Sequence, residues 1–172
     1  ILALAVGAGC TTAAPVRYYT LNMIPSGNPP AAVNIVIDRL RSAESLARKD
    51  ILIKKTPTEI EYYASDQWAA GIDELVTEKL IEEFGTPSDQ QRTLILSGVI
   101  QAFEQVDTPE GALAHAKLSV EFRKDRYGDV LMTRVYDATA AVESSSASAV
   151  VVGLSKCLET IARNIAADAA KL

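Results

Sequence analysis

The chain has 172 residues, enough for one domain whose core needs no covalent staples, and its 48% hydrophobic and 23% charged composition excludes a disordered polar chain. A net charge of −5 with no basic cluster argues against nucleic acid as a partner and against adhesion to anionic lipid headgroups. Two cysteines, Cys10 and Cys157, are too few for a disulfide framework.

The chain opens ILALAVGAGC. This apolar run is too short to span a bilayer, which takes ~20 residues. It has neither an initiator Met nor a basic flank, so it is expected to be the tail of a longer secretory leader. The small residues Gly7, Ala8 and Gly9 end at Cys10, which resembles the lipobox of bacterial lipoproteins, where the cysteine is acylated and becomes the mature N-terminus. The usual Leu three positions before the cysteine is here Gly7, with Leu4 and Val6 further upstream. The other reading is a buried N-terminal strand with an incidental thiol. Residues 1–16 are therefore expected to be leader remnant, lipidated Cys10 and tether, and residues 17–172 a single domain.

RYYTL (17–21) is a short aromatic strand, and IPSGNPP (24–30) is a loop punctuated by Pro and Gly. VNIVIDRL (33–40) is apolar on both faces and suits a central strand. SAESLARKD (42–50) reads as a loop or one helical turn, and ILIKK (51–55) and EIEYY (59–63) as short strands around the turn TPT. The spacing of Trp68, Ile72, Leu75, Val76, Leu80 and Phe84 predicts a helix over 66–85, capped by Ser65 or Asp66 and stopped by Gly85 and Pro87. Trp68 is expected to anchor the first turn of that helix. The acids Asp73, Glu74, Glu78, Glu82 and Glu83 read as its solvated face rather than as a metal or partner surface.

Three longer strands follow at 93–106, 112–124 and 130–142, joined by the turns DTPEG and DRYGD, the second with Gly128 free to take a positive φ. In the middle strand Ala114, Ala116, Leu118, Val120 and Phe122 alternate with His115, Lys117, Ser119, Glu121 and Arg123, giving one face to the core and one to water. The serines of ESSSASA (143–149) cap a last helix over 146–170, striped by Val150, Val151, Leu154, Leu158, Ile161, Ile165 and Ala169. The order predicts an α+β domain: an antiparallel or mixed sheet of about six to seven strands with two main helices packed on it.

Nothing in this pattern assembles a catalytic or cofactor site. His115 is the only histidine and lies on the wet face with no nucleophile fixed near it. One His and two distant Cys are too few for zinc, and no Gly-rich phosphate loop occurs. Cys157 falls on the apolar side of the last helix and reads as a small buried hydrophobe. No catalytic, cofactor or metal residue is assigned, and Cys10 is the one site, for lipidation.

A cysteine near the N-terminus, then RYYTL, VNIVIDRL and EIEYYASDQWAAGIDELVTEKL, resembles the ABC-type transport auxiliary lipoproteins, relatives of the paraquat-inducible lipoprotein that accompanies a mammalian cell entry (MCE) protein. Tyr63, Trp68 and Ala69 match the family's "Y…WA" element, and Phe103 its aromatic before the long hairpin. The family's Pro-x-Tyr-Leu-Asp-Arg stretch is reduced here to Leu46, Arg48 and an acid within SAESLARKD. The resemblance implies a non-catalytic envelope lipoprotein serving an MCE-family protein and ABC permease and ATPase subunits in lipid traffic. Thr11, where Asp would signal inner-membrane retention, implies an outer-membrane anchor facing the periplasm. A homo-oligomer pairing through RYYTL or ILIKK fits an open-edged sheet. The rival readings are a lipid-anchored periplasmic enzyme or cell-wall factor, tested by His115, and a small-ligand binding domain.

Overall fold

The computed structural model describes residues 14–26 and 33–172. Cys10 and most of the 24–30 loop lie outside the described residues. The rest is a seven-stranded mixed sheet with two α-helices, so the α+β expectation holds.

The sheet is organised by its longest strand. β5 (Arg92–Thr108) is 17 residues long and turns at Pro109–Glu110 into β6 (Gly111–Arg123), which returns antiparallel and is followed by β7 (Val130–Ala141), also antiparallel. On its other side β5 carries two strands end to end, both parallel to it. β2 (Val33–Ser42) runs beside Arg92 to Ile100, and β3 (Asp50–Thr56) beside Glu104 to Val106. A 3-10 turn at Glu44–Leu46 joins them, as the loop-or-turn reading of SAESLARKD expects. β4 (Glu59–Trp68) is antiparallel to β3, and β1 (Arg17–Tyr19) lies outermost, parallel to β4. The order is β1-β4-β3-β5-β6-β7, with β2 sharing the β5 edge.

α1 (Ile72–Phe84) covers β2, and α2 (Ala147–Ala169) covers β5, β6 and β7. The helices touch each other on one side of the sheet, where they bury a single apolar core. The inward face of β6 closes that core as its alternation predicts: Ala114, Ala116, Leu118, Val120 and Phe122 are wholly buried. Ser146 caps α2, its Oγ accepting from Ala149 N at 3.4 Å, so the serine run is helix-start chemistry.

The first helix begins six residues later than its spacing predicts. Residues 66–68 complete β4 instead: Trp68 N donates to Lys49 O at 2.7 Å, and β1 pairs Arg17, Tyr18 and Tyr19 with Asp66, Gln67 and Trp68. Asp66 therefore caps no helix. Its carboxylate binds Arg17 Nε at 2.7 Å and accepts from Tyr19 Oη at 2.9 Å. The helix starts at Gly71, which offers no side-chain cap. Trp68 precedes Ile72 by four residues, so a strand-end side chain satisfied a helical period. Gly85 does end α1, at φ 72° and ψ −169°, where other residues are strained. In the hairpins, Gly111 rather than Gly128 takes the positive φ.

Two further expectations change. β2 is not central: β5 is its one strand partner among the described residues, and a bulge at Ile37–Arg39 turns Asp38 and Arg39 outward. β3 (the ILIKK strand) has β4 on one side and β5 on the other, which leaves it no edge for pairing between protomers. The outermost strands are β1 and β7.

Candidate functional site: the open face of the sheet

The sheet face away from the helices carries the polar half of each alternating strand. Register aligns these residues in rows across the strands. One row reads Arg39, Ser97, Glu121, Thr133, and the next Arg41, Val99, Ser119, Val135. Past a bulge at Ile100–Ala102 the rows read Ala102, Lys117, Asp137 and then Glu104, His115, Thr139.

His115 is at the centre of the lower rows. Its Nδ1 lies 3.2 Å from Glu104 Oε1 and its Nε2 3.0 Å from Asp137 Oδ1. Lys117 Nζ approaches the other Asp137 oxygen at 3.3 Å. The site is wet only in part, since the His115 side chain is 18% exposed and that of Glu104 10%. The hydrogen bond to Glu104, joined by the Asp137 charge, raises the His115 pKa above its ordinary value against the opposing effect of partial burial. Burial works against ionising Asp137, but Lys117 and His115 outweigh it and hold its carboxyl below the usual range.

This arrangement is a charge clasp across three strands. A general base needs one ring nitrogen turned to a nucleophile, and here both face carboxylates. The carboxylates bracket the ring from opposite nitrogens, so they do not converge on one ion, and no metal-holding cluster occurs among the described residues.

Above the clasp, a groove of about 330 Å³ lies between β2 and β6. Arg39 and Arg41 form one wall, the Glu121–Arg123 ion pair (2.8 Å) the other, and Ser97, Gly98, Val99 and Ser119 contribute to its lining. Arg123 also donates to Gly128 O at 2.8 Å, which fixes its guanidinium.

Of the residues singled out by sequence, Cys157 is buried on α2 with its Sγ 3.6 Å from Ala114 O, and burial pushes its thiol up to about 11. Glu83 departs from the solvated-face reading: it is buried and accepts from Ser26 N at 2.7 Å and Ser26 Oγ at 2.6 Å, tying α1 to the segment after β1. Sequence reasoning missed Arg39 and Arg41 because the run VNIVIDRL hides a bulge. Their i, i+2 spacing was the available signal.

The fold and this face define a class: an α+β domain with helices on one side of its sheet and a charged, half-exposed surface on the other. The chain belongs to the ABC-type transport auxiliary lipoprotein component family, whose model matches residues 19–166. Among solved structures it is similar to a Xanthomonas campestris protein of the DUF330 family, with a TM-score of 0.71 at 15% identity over 87% of this chain and 91% of that one. It is also similar to an uncharacterised protein with a TM-score of 0.67 at 12% identity, over 91% of this chain and 99% of that one. These likenesses support the fold. No curated protein sequence matches the chain.

Proposed function

We propose that this protein is a lipid-anchored subunit of an MCE-linked ABC transport system, held at the outer membrane through Cys10, facing the periplasm, and serving lipid traffic between the two membranes. The match to the ABC-type transport auxiliary lipoprotein component carries this reading. The domain works by docking to an MCE-family protein and to permease and ATPase subunits rather than by turning over a substrate. The His115 clasp supports that part, because both ring nitrogens are committed to carboxylates. No helix among the described residues is long and apolar enough to cross a membrane.

Affinity capture of the full-length protein from crosslinked envelopes should recover an MCE-type or permease subunit. His115→Ala should leave the cellular phenotype intact. Capture of no envelope subunit, with a phenotype lost in His115→Ala, would replace this reading with the enzyme.

A further inference from the structure

Ion pairing on the open face leaves a local positive surplus on a chain of net charge −5. Asp38 pairs with Arg126 at 2.7 Å and Glu121 with Arg123 at 2.8 Å. Arg39 and Arg41 are exposed and make no ion pair with a described residue. We propose that the groove between β2 and β6 is a docking site for an extended acidic segment of a partner protein, with Arg39 and Arg41 as its carboxylate clamps.

Three features of the groove favour this occupant. The two arginines leave the same face of β2 two residues apart, opposite Ser97 and Val99. That spacing is about 7 Å, the repeat at which alternate side chains leave an extended chain. A partner strand with carboxylates at every second residue thus meets both guanidiniums in register, each able to take a carboxylate bidentately. Next, the lining is small: Ser97, Gly98, Val99 and Ser119 leave room for a partner's main chain to lie across the face. The hydroxyls of Ser97 and Ser119 are the polar groups of that floor that can meet it. Finally, Asp38 and Glu121 are held by Arg126 and Arg123, so the unpaired positive charge of the groove is that of Arg39 and Arg41, spaced along the strand rather than gathered at one point. A segment that mixes carboxylates with neutral main chain suits these walls better than a phosphate headgroup does.

The proposal deepens the docking reading above and depends on it for the partner's identity, not for the surface itself. The probe is a fluorescein-labelled octapeptide of alternating Glu and Val, titrated at low salt with the purified full-length protein. Wild type should bind it, and Arg39→Glu with Arg41→Glu should weaken binding at least ~10-fold, as loss of two charge-assisted contacts predicts. The doubly reversed protein should instead favour a Lys–Val octapeptide, and Arg163→Glu on α2 should leave binding unchanged. Both reversed positions are exposed, so circular dichroism should show the fold retained. Equal affinity of wild type and double variant for the Glu–Val peptide would overturn the proposal. So would wild-type binding to phosphatidylglycerol vesicles, lost on reversal, with no peptide binding. Transport subunits that co-purify undiminished with the double variant would remove this surface while leaving the docking reading standing.

Discussion

Trp68 is 2% exposed at the end of β4, its ring centroid 5.8 Å from that of Phe103 on β5. It bridges the β4 end of the sheet to its longest strand with the largest side chain available. Trp68→Ala should therefore cost ~3–5 kcal/mol in chemical denaturation. His115 gives a second prediction, of pH dependence. Its folded-state pKa is raised, so its contribution to stability is full below the unfolded value near 6.5 and is lost as pH rises through the folded pKa. The denaturation midpoint of wild type should fall between pH 6 and pH 8, and that of His115→Gln should change less over the same interval. Carboxylates such as Asp137, held low, titrate below this window and do not mask it. Alternation in the sequence already placed His115 opposite the core. It could not place Glu104 and Asp137 on either side of the ring, because those contacts depend on the register of β5 and β7 against β6.

Local chemistry was legible in the elements wherever one signal dominated. The serine cap of α2, the glycine stop of α1 and the alternation of β6 are interactions among residues close in the chain. The start of α1 was not legible, because β1 pairs with residues 66–68 from nearly fifty positions away and holds them extended. Long-range pairing overrode a helical period there, as the bulge in β2 overrode its apolar run. Gly85 tests the local part. Its backbone lies in a region that is almost only glycine's, so Gly85→Ala should cost ~1–3 kcal/mol in thermal or chemical unfolding with the fold unchanged. Gly153 tests the packing of α2. A Cβ there would lie 2.7 Å from Ala114 Cβ and 2.8 Å from Val142 Cγ1. Gly153→Val should push α2 off β6 and loosen the whole core, which near-ultraviolet circular dichroism would register.

Across the whole molecule, fold class was readable from the order of strands and helices, but strand order was not. The sheet joins β2 and β3 to a strand some fifty to sixty residues downstream, by parallel pairings that no turn motif announces. That layout also governs when the parts can form. β5, β6 and β7 are linked by tight turns, so they can close as a meander within the time of two hairpins. β3 can fold back on β4 across a two-residue turn, but β2 has no docking edge until β5 exists and must bridge a long loop to reach it. In refolding followed by pulsed hydrogen exchange, amides of β6 and β7 should gain protection before those of β2. While β2 waits, Val33 and Ile35, both destined for the core, stay in water as a sticky run of unpaired strand. A chain made from its N-terminus forward meets this delay on every synthesis. The exposure of β2 lasts until Ile100, its last partner on β5, has been made and is free to pair.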